Sequence, residues 1–156
     1  MLGSINISNK ETLKGLLENE LKRSLRYQTF TSILLFEAHS RDSAGGDEHH
    51  LDVAERMATL IRKETRETDM IGKQGENIVI VVLLYSDKNV AYKVGHRLNA
   101  WLSNYLSSSG KISHTLSVGG ACFPSHATDS NSLYQRAFEM LERAKGQSGN
   151  NVQILE

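Results

Sequence analysis

Arg66-Glu67-Thr68-Asp69 sets a guanidinium and a carboxylate three positions apart. A guanidinium can fork onto the two oxygens of an oxyanion, and it can stack on a planar ring. A carboxylate beside it accepts from N–H donors. The same residues also read as a solvated arginine in a helix's last turn and a turn-forming aspartate before a strand, and both readings stand at this point. Glu37 closes an apolar run, and Lys145 lies near the end of the last helix, where the helix dipole favours a cation. Each has an ordinary solvent-exposed reading as well as a chemical one. Adjacent His49 and His50 point to different sides of their chain, so no shared metal is expected. Cys122, the single cysteine, sits in an apolar strand pattern and reads as a packed residue. Ser117 has no base and acid in the order that would make it a nucleophile.

These groups need a fold to hold them. The chain has 156 residues, 39% of them hydrophobic, which suits one domain over 1–156 with its core at about 10–155. Eighteen basic and 18 acidic residues give a formal net charge of zero, so no global field draws in DNA or an anionic membrane. Any anion site must be local. The longest apolar run, Ile78 to Tyr85, is too short to span a bilayer, and Met1 to Lys10 is too polar for a signal peptide. One cysteine excludes an internal disulfide and fits a reducing compartment. A cytoplasmic chain, or the cytoplasmic domain of a larger and even membrane-attached protein, is the expectation.

Leu13, Leu16, Leu17, Leu21 and Leu25 predict an amphipathic helix over 10–27. Residues 30–38 read as a buried strand. Leu51, Ala54, Met57, Ala58 and Ile61 mark a helix that ends near Thr68. Strands at 69–74 and 77–84 meet in a tight hairpin at Gly75-Glu76. Val90, Ala91, Val94, Leu98, Trp101, Leu102 and Tyr105 form a stripe over 87–106, read as core. A strand at 112–123, a helix through Leu133 and Ala144, and a short strand from Asn151 to Leu155 complete the chain. This alternation predicts an α/β (α+β) domain with a central, mostly antiparallel five-stranded sheet flanked by helices.

In this order the pieces resemble a GGDEF domain, the diguanylate cyclase or nucleotidyl-cyclase-like fold, from about Leu16 to Ile154. LLENELKRSLRYQTFTSILLFEA is similar to the family's first helix and strand. RETDMIGKQGENIVIVV holds the place of the signature hairpin, with GENIV at 75–79 where the family has Gly-Gly-Asp-Glu-Phe. LSVGGACFPSHATDSNSLYQRAFEMLERAKGQSGNNV, with Ala144-Lys145, matches the last strand, helix and closing strand.

The resemblance implies a chemistry and its loss. The family's cyclases join two GTP molecules into cyclic di-GMP, using two divalent cations held by carboxylates. Glu37 stands at the first-strand ligand position. Of the signature, Gly75 matches, but Glu76 replaces a glycine and would repel a triphosphate. Asn77 and Ile78 replace acidic residues, and Val79 ends the motif. The guanine-reading segment is eroded to SRDSAGG, with Asp47 and Asp52 as alternatives for one position. Lys145 keeps a phosphate-binding position, while Asn150 stands where an arginine is usual. Positioning alone lowers such barriers by roughly 7–11 kcal/mol, so an inactive domain without metal or cofactor is expected, with Glu37 and Lys145 as vestiges. The family's allosteric site for cyclic di-GMP is marked by Arg-x-x-Asp ending five residues before the signature. Here the five residues Met70 to Gln74 separate Asp69 from Gly75. That site's second arginine falls on Arg97. The implied function is a cyclic di-GMP receptor or regulatory module using Arg66, Asp69 and Arg97. It would act with an attached sensor or output domain, a protein partner or a second copy, without DNA and without membrane insertion. The alternatives are a ligand-independent dimerisation or protein-interaction module, and a residual diguanylate cyclase.

Overall fold

The computed structural model describes residues 7–40, 53–108, 114–146 and 151–156. The elements are β1 (Ile7–Asn9), α1 (Lys10–Tyr27), β2 (Thr31–Ser40), α2 (Val53–Glu64), β3 (Met70–Gln74), β4 (Ile78–Leu84), α3 (Lys88–Ser108), β5 (His114–Phe123), α4 (Ser130–Lys145) and β6 (Asn151–Ile154). They build one six-stranded sheet in the order β1-β3-β4-β2-β5-β6. Its centre is antiparallel, β3 with β4 and β2 with both β4 and β5, and its edges are parallel, β1 with β3 and β5 with β6. The sixth strand corrects the expected five, and it extends the core before residue 10. Three residues of β1 are too few to show a period-2 pattern, and their partner β3 is remote in the chain.

Successive β2 side chains alternate faces. Leu34, Phe36 and Ala38 join a core with Met57 and Ile61 of α2 and Leu98 and Leu102 of α3. Ile33 and Leu35 join a second core with Leu13, Leu17 and Leu21 of α1 and Leu133, Ala137 and Leu141 of α4. Helices on both faces explain why β4 reads as an unbroken apolar run, Ile78–Leu84. Only one stripe of each helix meets the sheet, however. Leu16 and Leu25 are 44% and 65% exposed, although they share helical spacing with the buried leucines. Tyr105 is likewise exposed and Trp101 only partly buried, so the core stripe of α3 runs through Ala91, Leu98, Leu102 and Leu106. No helix among the described residues is long and apolar enough to cross a membrane.

Two local features set the site. α2 stops at Glu64 rather than near Thr68, so residues 65–69 form a turn into β3. The hairpin has three residues between the paired Gln74 and Ile78, one more than expected, and Gly75 takes φ +65°, where a side chain is disfavoured. The Glu76 carbonyl accepts from the Ala54 N–H at 2.9 Å and the Asn77 carbonyl from the Ala38 N–H at 3.2 Å, which fastens the hairpin tip to α2 and β2.

Candidate functional site

The turn from Thr65 to Asp69 is built around a buried carboxylate. Asp69 is 3% exposed. Its Oδ2 accepts from the Arg66 backbone N–H at 3.1 Å and from Arg66 Nε at 3.3 Å. Its Oδ1 accepts from Arg66 Nη2 at 3.1 Å and from the Leu84 N–H at 3.2 Å. Antiparallel pairing of β3 with β4 brings the end of β4 beside the start of β3, and so delivers Leu84 to this turn. Arg66 Nη2 also donates to the Leu84 carbonyl at 2.6 Å and to Ser86 Oγ at 3.2 Å. With Nε and Nη2 both engaged in this way, Arg66 keeps 54% of its side chain exposed.

Arg62 braces the same turn. Its Nη2 donates to the Asp69 carbonyl at 2.9 Å, to Thr65 Oγ1 at 3.2 Å and to the Arg66 carbonyl. Sequence reasoning missed Arg62 and Ser86. The one available signal was that Arg62 precedes Arg66 by a helical turn. Nothing local to Ser86 marks it.

Arg66, Asp69 and Arg97, singled out in the sequence, line one open concavity of about 400 Å³, walled by the end of α2, Leu83, Ser86 and the first half of α3. Arg97 is exposed and reaches Glu64 O only at 3.4 Å, so it is far less tied than Arg66. The concavity thus presents two guanidinium groups, one rigid and one adjustable, and suits an anionic ligand with planar hydrogen-bonding edges. Asp69 differs from expectation. All its recorded bonds go inward, so it acts here by holding Arg66, and it does not offer a free carboxylate to a ligand.

At the other end of β2 the expectations for Glu37 and Lys145 also need correcting. Glu37 lies inside β2, between Ile78 of β4 and Ser117 of β5, and is not a surface group at a strand end. Its side chain is 12% exposed, and its Oε1 is 3.1 Å from Lys145 Nζ and 3.9 Å from His39 Nε2. Lys145, read as solvated, is held between Glu37 and Glu142, whose Oε2 accepts from it at 3.2 Å. Burial by itself lowers the Lys145 pKa, but the hydrogen bonds and charges of both carboxylates outweigh it and leave the pKa raised. The neighbours of Glu37 across the hairpin are an isoleucine and an amide, Ile78 and the exposed Asn77. One carboxylate already paired with an ammonium does not fit a pair of divalent cations. Among the described residues no group of three or more His, Cys, Asp or Glu could hold a metal ion. Asp47, Asp52, the two adjacent histidines and Asn150 lie outside the described residues. Cys122 is buried as expected, and burial pushes its thiol up.

Solved structures share this fold. A GGDEF domain of YfiN from Pseudomonas aeruginosa aligns with a TM-score of 0.81 at 22% identity, over 96% of this chain and 91% of that one. The active GGEEF domain of a diguanylate cyclase from Vibrio cholerae aligns at 0.80 and 18% identity, over 97% and 99%. The GGDEF domain of DgcB from Caulobacter crescentus, solved in complex with c-di-GMP, aligns at 0.79 and 14% identity, over 96% and 89%. No curated protein matches the sequence. The family model for "Diguanylate cyclase, GGDEF domain" matches residues 5–151. With that match, and with a sheet, hairpin and flanking helices of the same design, the chain belongs to the GGDEF domain family.

Proposed function

We propose that this domain is a catalytically inactive GGDEF domain that binds cyclic di-GMP as a receptor or regulatory module. The observation that carries the proposal is Arg66, fixed by Asp69 along one edge and exposed above a concavity it shares with Arg97. The ligand has two phosphates and two guanines, each of which a guanidinium can engage in a fork or by stacking. The c-di-GMP complex of a Caulobacter GGDEF domain of the same fold supports the ligand class. The ion pair between Glu37 and Lys145 supports the loss of catalysis, because an ammonium already neutralises the one carboxylate left for metal. A cytoplasmic setting, with an attached domain or a partner reading the ligand state, completes the proposal.

Calorimetric titration with cyclic di-GMP tests it. Binding is expected, and Arg66→Ala should weaken it tenfold or more, as befits the loss of charge-assisted hydrogen bonds of roughly 1.5–3 kcal/mol. No heat at ligand concentrations near 100 µM, about −5.5 kcal/mol, rejects the proposal, as does an Arg66→Ala affinity equal to the wild type. Formation of cyclic di-GMP from GTP with Mg²⁺ or Mn²⁺ rejects the inactivity. One observation favours a second reading, a ligand-independent interaction module. The bonds of Asp69 all close inward, as they would in a purely structural latch. That module predicts a protein partner whose capture is indifferent to cyclic di-GMP.

A further inference from the structure

One corner of the domain gathers cations and exposed apolar side chains. From Leu21 to Phe30 the chain carries Lys22, Arg23 and Arg26 and no acidic residue. These three, with Tyr27, line an open concavity on the C-terminal half of α1. Arg23 is 3.6 Å from Glu20, and neither Lys22 nor Arg26 has an ion pair among the described residues. On the same helix Leu25 and Tyr27 are each 65% exposed, and at the same end of the sheet, toward its α2–α3 face, Tyr85 is 63% and Phe30 42% exposed.

The backbone brings these two parts of the chain to one end of the sheet. The Ser24 and Thr31 hydroxyls meet at 2.5 Å and tie α1 to β2. The Ser86 N–H donates to the Phe30 carbonyl at 3.0 Å, which continues the β2–β4 pairing past Thr31 and Leu84 and sets Phe30 opposite Tyr85. Gln28 and Tyr85 hold the corner with φ of 57° and 53°, a conformation that residues other than glycine seldom adopt.

We propose that this corner docks the domain on an anionic lipid surface. Cations meet phosphate headgroups, while tyrosine, phenylalanine and leucine side chains beside them settle at the boundary between headgroups and acyl chains. The attraction is local, as the zero net charge requires. It is also distinct from the arginine concavity, although Leu84 and Ser86, the acceptors for Arg66, flank Tyr85.

Co-sedimentation of the ligand-free domain with vesicles tests the proposal. The domain should pellet with phosphatidylcholine vesicles that contain phosphatidylglycerol, and not with phosphatidylcholine alone. Each cation near such a surface strengthens partitioning roughly fivefold, so a K22Q/R23Q/R26Q variant should lose about a hundredfold. Leu25→Ser with Tyr27→Ser should weaken it at unchanged charge. Neutralising Arg56, Lys93 and Arg143, exposed cations on α2, α3 and α4, should leave it unchanged. All these side chains lie on the surface, and matched circular dichroism spectra and melting temperatures establish that each variant is folded. Equal binding to neutral and anionic vesicles, no binding to anionic ones, or equal losses from both charge-removing triple variants overturns the proposal. Capture by soluble polyglutamate without vesicle binding also overturns it, and reassigns the corner to an acidic protein partner.

Discussion

Replacing Asp69 by alanine should unfold the turn that presents Arg66, and the structure sets the size of the loss. The Leu84 N–H is a buried donor that the carboxylate satisfies at 3.2 Å, and an unsatisfied buried donor costs about 1–3 kcal/mol. The Arg66 backbone N–H, part-buried and 3.1 Å from Oδ2, adds roughly 0.5–1.5 kcal/mol. The guanidinium pairs at 3.1 Å but is 54% exposed, so water replaces its partner and the ion pair contributes no more than about 1 kcal/mol. Together these give a loss of about 1.5–5.5 kcal/mol. For a chain of this size that lowers the melting temperature by about 3–20 °C. Urea and thermal unfolding of Asp69→Ala, Arg66→Ala and the double variant measure it. Arg66→Ala should cost the least, and the double variant should fall short of the sum, because the two residues share their bonds. Asp69→Asn can still accept from the Leu84 N–H, but its NH₂ then opposes the Arg66 donors, so it should recover only part of the loss. An Asp69→Ala loss below about 0.5 kcal/mol, the scale of an ordinary surface substitution, refutes the buried-carboxylate reasoning.

Other outcomes follow from packing and charge. A Cβ on Gly119 would stand 2.2 Å from Leu141 N, a backbone atom that cannot swing aside, so Gly119→Ala should cost about 3 kcal/mol or more in urea unfolding. Gly15 has nothing within 4 Å and lies inside α1, so Gly15→Ala should stabilise by about 0.5–1 kcal/mol, and a loss there would contradict the helix assignment. Burial, and then the charge of Lys88, holds His126 below its usual 6.5, while its Nδ1 accepts from the Cys122 N–H at 3.0 Å. That stabilisation is complete above pH 6.5 and disappears as pH falls through the lower folded value, so His126→Gln should flatten the acid limb of a stability profile. Lys145 has the opposite sign. Its raised pKa gives stability that is complete below 10.5 and lost as pH rises through the folded value. Lys145→Met, discounted for a side chain 28% exposed, should cost about 0.5–1 kcal/mol at neutral pH, with a gap that closes in alkali.

Much of the fold was legible because its signals are local. The apolar runs of β2 and β4, the glycine that opens the hairpin, and the 3.6-residue stripes of α2 and α4 each follow from the backbone geometry of a short segment. The spacing from Arg66 and Asp69 to Gly75 is equally local, and through the family resemblance it pointed to residues that line one concavity with Arg97. Periodicity could not say which stripe of α1 faces the sheet, since Leu16 and Leu25 recur as regularly as Leu13, Leu17 and Leu21. β1 escaped because a three-residue edge strand exists only through its partner.

The roles of the charged groups were decided at long range. Asp69 looked like a ligand acceptor until β4 laid the Leu84 N–H against it, and Glu37 looked solvated until α4 brought Lys145 to it. The residue types and short spacings that mark a candidate site are written along the chain. Whether a carboxylate faces water, a ligand or a buried donor depends on sheet register and helix packing, because these determine its desolvation and its partners.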